Sequence, residues 1–175
     1  QIISLNADPP SQWHESVLKV LHKSGPTDLP ENYRPITIIP LLYKLFAKLI
    51  FRRLAPNLEL HQSPDQAGFR KGYNTEDHMM TMNMLCDKAD EFQLNVWAAT
   101  LDFKKAFDSI EHAQLWKALE AQHAPAPYIY LLQRLYAGQR GRVKTDKVSK
   151  HFSITRGTKQ GDPLSSLMFL SLIHI

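Results

Sequence analysis

Residues 94–103 (LNVWAATLDF) constrain the fold more than any other stretch of the chain. The run is short, apolar and bounded by polar residues, the pattern of a strand buried in a sheet. It delivers Asp102 at its end. A carboxylate there is costly unless it is paired, hydrogen-bonded or bound to a cation. Hard divalent ions such as Mg²⁺ take oxygen ligands of this kind. A helix cap or a salt bridge is the competing reading.

Helical spacing governs much of the rest. Leu42, Leu45, Phe46, Leu49, Ile50 and Leu54 form one apolar stripe, so a helix is expected with that stripe inward. Lys44, Lys48, Arg52 and Arg53 lie mostly off it, as a solvated face or one turned to phosphates. Thr75 is expected to cap a helix reaching about Glu91, with Met79, Met82, Leu85 and Cys86 as core filler. Ser109 reads as the cap of a helix carrying Ile110, Leu115, Trp116 and Leu119. Pro127 suits the first turn of another, with Ile129, Leu132, Leu135 and Tyr136 inward. Residues 143–146 and 151–155 flank a polar turn and read as a hairpin. Residues 24–35 and 63–74 are turn-rich and read as loops. Helix, helix, strand, helix, helix and hairpin in that order make an α+β protein.

Composition excludes several classes. A single cysteine forms no internal disulfide, so a disulfide-stapled scaffold is ruled out. No apolar run approaches the roughly 20 residues that span a bilayer, so no membrane partner is expected. The first ten residues lack the basic start and long apolar core of a signal peptide. They do not begin with Met, as expected for an internal piece. The net charge of +4 permits nucleic-acid binding without requiring it.

Four motifs carry chemistry. LDFKKAFDS at 101–109 holds Asp102. RGTKQGDPLS at 156–165 has two glycines that let backbone approach a ligand, and Asp162 with Pro163 reads as a helix start. QAGFRKGYN at 66–74 places Arg70 and Lys71 between glycines, a possible anion site. NYRPI at 32–36 carries Arg34. Each alone also fits an ordinary turn or solvated loop.

Together and in order, with the YKLFAKLIFRRL helix at 43–54, they resemble the reverse transcriptase domain of non-LTR (LINE-type) retrotransposons, in wording closest to the RTE-type clade. The resemblance runs from about Trp13 to Phe169. It implies a right-hand polymerase fold, with fingers over 1–95 and a partial palm over 96–169. It implies an RNA-directed DNA polymerase using Mg²⁺, or Mn²⁺, with an RNA template, a DNA primer and dNTPs, inside the cell and in the nucleus. By the same resemblance Asp102 is the first catalytic carboxylate and the Phe103 carbonyl a further metal ligand. Phe107 would be the gate against a ribose 2′-hydroxyl. Arg70 would hold the triphosphate, Gln160 and Gly161 would border nucleotide and template, and Arg34 and Lys71 would face the template.

Two rival polymerases fit less well. Viral RNA-dependent RNA polymerases tend to carry an Asp where this chain has Phe107, and group II intron enzymes tend to read QGG where it has Gln160-Gly161-Asp162. A non-catalytic RNA-binding remnant is the alternative from a different class, and a decayed, functionless product is a third. The family also carries an aromatic-Ala-Asp-Asp turn that this sequence lacks, so the chain alone is expected not to polymerise. Residues 170–175 (LSLIHI) depart from the family's Asn-containing helix and match one reading frame of a common transposon-based sequencing adapter. They are expected to be non-native.

Overall fold

The computed structural model describes residues 8–173. The readings made on the first seven residues and on His174 and Ile175 lie outside them. The chain divides into two compact units, one of residues 62–104 and the other of the remainder.

The larger unit is built on a four-stranded sheet. Strand β1 (Glu15–His22) pairs antiparallel with β2 (Tyr33–Ile38) and parallel with β3 (Arg140–Lys144), and β4 (Phe152–Ser153) pairs antiparallel with β3. The order is β2-β1-β3-β4. Pro35 lies opposite Val20 in β2. A proline has no N–H to give a ladder, and β2 is an edge strand, where that loss is tolerated. Gly141 in β3 faces Phe152, and a Cβ there would lie 2.9 Å from the Phe152 ring.

Four helices complete this unit: α1 (Leu41–Glu59), α3 (His112–Ala121), α4 (Ala126–Tyr136) and α5 (Pro163–Ile173). The remaining helix, α2 (Thr75–Glu91), belongs to the smaller unit. α5 packs against both α1 and α3, and α3 against α4. α5 is almost wholly apolar, and Leu164, Leu167, Met168 and Leu170 are buried. A helix apolar all round belongs inside a core. Leu164, Leu167 and Met168 share one core cluster with Tyr43, Ile50, Leu54 and Leu58 of α1, Leu115 and Leu119 of α3, and Leu132 and Leu135 of α4. Each such side chain contributes roughly 1.5–3 kcal/mol by burial. Among the described residues no helix is long and apolar enough to cross a membrane.

The α+β composition agrees with the sequence, and a hairpin forms near the expected place, although β3 runs Arg140–Lys144 rather than 143–146 and β4 is only Phe152–Ser153. α4 holds Pro127 in its first turn and buries Ile129, Leu132, Leu135 and Tyr136, as expected. Other expectations are corrected. Residues 94–103 form no strand. Among the described residues no strand pairs with them, and Trp97 is 94% and Leu101 87% exposed. An apolar run supplies a face, but a strand also needs a neighbour for its N–H and C=O groups.

The buried stripe of α1 is Tyr43, Ala47, Ile50, Leu54 and Leu58, leaving Leu42, Leu45 and Leu49 exposed. Two apolar stripes compete on that helix, and the one facing α5 wins. On α2 only Ala89 is buried, so Met79, Met82, Leu85 and Cys86 are surface residues. Asn74, not Thr75, caps α2, its Oδ1 accepting from the Glu76 N–H at 3.1 Å. α3 begins after Glu111, and Ser109 instead donates its hydroxyl to the Ala106 carbonyl. The supposed loop over 24–35 gives way to β2 at Tyr33, and the sequence reading assigned no element to β1. Leu170 and Ser171 of the suspect tail are buried in α5, and the Ser171 carbonyl accepts from the Gln122 side chain at 2.6 Å.

Candidate active site

The loop over 156–162 is fastened to the segment over 107–112. The Gly157 N–H donates to the Ile110 carbonyl at 2.7 Å, and the Thr158 N–H to the Phe107 carbonyl at 2.9 Å. His112 Nε2 lies 2.8 Å from the Gly157 carbonyl. Gly157 has φ +83°, and a Cβ there would lie 2.8 Å from the Asp108 carbonyl oxygen. Glycine is required on both counts. Gln160 Nε2 then donates to Asp108 Oδ1 at 2.9 Å.

The loop is tied to the sheet as well. The Thr37 N–H at the end of β2 donates to the Gln160 carbonyl at 3.0 Å. Gly161, with φ +103°, would bring a Cβ to 3.4 Å from the Thr37 carbonyl. Phe107 stacks on Phe169 of α5, ring centroids 4.3 Å apart and 26° from parallel.

Beneath the loop lies a buried polar cluster. Lys159 Nζ donates to the Trp13 carbonyl at 2.9 Å and sits 4.5 Å from the centre of the Tyr43 ring. Burial pushes its ammonium down to about 8, opposed by the nearby Asp162 carboxylate. Asp162 caps α5, Oδ1 accepting from the Leu164 N–H at 3.0 Å, while Oδ2 accepts from the Tyr43 hydroxyl at 2.7 Å. Burial raises its carboxyl above the usual range, and the Leu164 and Tyr43 bonds pull it back. Asp162 was legible as a helix start. Nothing in the sequence spacing marks Lys159 or Tyr43 as neighbours of Asp162.

Phe107, Gln160 and Gly161 are therefore brought together, and the larger unit also carries Arg34, exposed in β2. Asp102, Phe103, Arg70 and Lys71 belong to the smaller unit. Asp102 and Phe103 are exposed at its end. Arg70 Nη1 donates to the Ser63 and Gln66 carbonyls at 2.5 and 3.0 Å, and its guanidinium covers the Tyr73 ring at 3.8 Å. These contacts shape the 63–74 turn. Lys71 is exposed.

Among the described residues no group of three His, Cys, Asp or Glu side chains converges as a metal site. A two-metal centre takes more oxygen ligands than Asp102 and one carbonyl offer. The described residues therefore do not by themselves make that centre.

The family model described as "Reverse transcriptase (RNA-dependent DNA polymerase)" matches residues 21–175. The chain belongs to the reverse transcriptase family. It is 31% identical, over 94% of its length, to a probable RNA-directed DNA polymerase from transposon X-element of Drosophila melanogaster. It is 34% identical over 91% of its length to one from transposon BS of the same species. A retrovirus-related Pol polyprotein from the type-2 retrotransposable element R2DM matches at 30% over 80% of the chain. The matches cover 18%, 17% and 13% of those relatives, so this reverse transcriptase chain spans under a fifth of their length. The resemblance to non-LTR retrotransposon reverse transcriptases, stated from the motifs, is met by these relatives. Enzymes of this family work with divalent metal ions on a nucleic-acid template and nucleotide substrates.

Proposed function

We propose that this chain is the nucleotide-selecting portion of an RNA-directed DNA polymerase from a non-LTR retrotransposon of RTE type. In this reading it is part of a right-hand polymerase, with fingers over 1–95 and the start of the palm over 96–169. The observation that carries the reading is the Gln160–Asp108 bond with the Gly157 contact beside it. These contacts hold the QGDP loop against residues 107–112 of the larger unit as one surface.

On that surface Gln160 and Gly161 border the nucleotide and template. The Phe107 ring, backed by Phe169, is the gate that rejects a 2′-hydroxyl. By the family resemblance alone, Arg70 and Lys71 of the smaller unit are assigned to triphosphate and template, and Arg34 to the template. The substrates are an RNA template, a DNA primer and dNTPs. Asp102 and the Phe103 carbonyl are two oxygen ligands toward Mg²⁺, and catalysis needs further carboxylates beyond the described residues. Residues 170–175 remain proposed as non-native in origin, although α5 runs on through Ile173.

The test is primer extension on an RNA template with Mg²⁺ and dNTPs, using the polypeptide of the complete reading frame beside its Asp102→Ala variant. Extension that falls at least about a thousandfold in the variant supports the reading. Phe107→Ala is expected to admit ribonucleotides, and the 175-residue chain alone to extend nothing. Extension indifferent to Asp102 overturns the assignment. Salt-sensitive RNA binding without extension by the complete protein favours the non-catalytic remnant instead.

A further inference from the structure

Side chains on a strand alternate between faces, and residues paired across a ladder share one. The register therefore puts Arg34 of β2, Lys19 of β1, and Arg140, Arg142 and Lys144 of β3 on the same side of the sheet. All except the partly buried Arg142 are exposed. One carboxylate, Glu15, shares this face, and it lies 3.9 Å from Arg142. Glu15 stands opposite Arg140 in the ladder but its carboxylate reaches Arg142, so among the described residues Lys19, Arg34, Arg140 and Lys144 form no ion pair on this face.

Lys19 and Lys144 are direct partners in the β1–β3 ladder. Like charges placed opposite one another destabilise a sheet. An anion between them removes that cost and gains two charge-assisted bonds. Ile36, Ile38 and Leu21 lie on the same face and are exposed. No aromatic side chain stands among the β1, β2 and β3 residues of this face, so it has no platform for base stacking.

We infer that this sheet face holds the sugar-phosphate backbone of single-stranded RNA, with Lys19, Arg140 and Lys144 joining Arg34 in gripping it. The inference rests on the polymerase reading, which makes the strand the template. The charge row supplies affinity and register, the aliphatic side chains lie against sugars, and sequence is not read. Four phosphate contacts predict that log K falls with log salt at a slope of about −3.

The test is fluorescence anisotropy of the full 175-residue chain with labelled 20-nucleotide poly(U) and poly(A), from 50 to 300 mM salt. The two RNAs should bind within about threefold of each other. Arg140→Gln with Lys144→Gln should weaken binding at least about tenfold at 50 mM salt and bring the slope to about −1.5. Lys19→Gln should weaken it by about threefold. Lys117→Gln, an exposed change on α3, should leave binding unchanged. Salt-dependent binding that ignores Arg140, Lys144 and Lys19 sinks the sheet face and leaves the polymerase reading standing. Competition by polyglutamate as effective as by RNA also sinks it, marking an acidic-peptide surface. Failure of the wild-type chain to bind either RNA overturns the inference and counts against the polymerase reading too, which Asp102-dependent extension judges separately.

Discussion

Gln160 donates its amide to the Asp108 carboxylate over 2.9 Å, joining two segments 52 positions apart in sequence. The bond is charge-assisted and part-buried, so its loss should be measurable. In urea unfolding, a double-mutant cycle of Asp108→Ala and Gln160→Ala should give a coupling energy of about 1–2 kcal/mol. Gln160→Glu sets two carboxylates against each other and should destabilise more than Gln160→Ala. Additive single effects would show that the contact is not formed in solution.

Gly157 is the tightest point of the clamp. Gly157→Ala must adopt φ +83° and push against the Asp108 carbonyl oxygen. The left-handed backbone alone costs about 1–2 kcal/mol. The expected drop in melting temperature is about 4–10 °C, read by circular dichroism. Gly138, at φ +64° with nothing within 4 Å of its Cβ position, should lose less when changed to Ala.

Lys159 makes stability depend on pH in an unusual direction. Its folded-state ammonium titrates near 8, below the ordinary lysine value of 10.5. Between those values the unfolded chain binds a proton that the folded chain has released. Stability should therefore rise with pH from about 8 toward 9.5, where tyrosines begin to intervene. The slope approaches 1.4 kcal/mol per pH unit where only the unfolded state is protonated. Urea midpoints across this range check it, and Lys159→Met should flatten the rise. A flat wild-type profile would contradict the buried environment described for Lys159.

Trp97 and Leu101 present apolar surface to water. Trp97→Ser should raise the soluble fraction and slow aggregation while changing unfolding free energy by less than about 0.5 kcal/mol. Destabilisation above about 1 kcal/mol would mean that Trp97 is packed in solution.

The sequence made much of this architecture legible, but unevenly. α4 announced itself through Pro127 and a clean apolar stripe, and α5 through Asp162 and Pro163. Local chemistry decides such features. α1 was placed correctly, and Ile50, Leu54 and Phe46 do face the core, but Leu42, Leu45 and Leu49 do not, because a second apolar stripe with Tyr43, Ala47 and Leu58 was available and contact with α5 chose it. Residues 94–103 failed for a related reason, since strand character depends on a partner that periodicity does not report. At the candidate site, motif order pointed to Gln160 and Gly161. The acceptor role of Asp108 and the burial of Lys159 against Trp13 and of Asp162 against Tyr43 arise from contacts between distant segments, which no spacing rule encodes.

The pairing of β1 with β3 also has a consequence for synthesis. Glu15 finds its neighbour at Arg140, 125 positions later. At about 5–20 residues per second, a ribosome takes roughly 6–25 s to cover that interval. During that time β1 has only β2 as a ladder partner, and its other edge is open to any nascent strand nearby. Crowded translation of many copies of one message would favour pairing between neighbouring chains, so yield should depend on initiation rate as well as on folded stability.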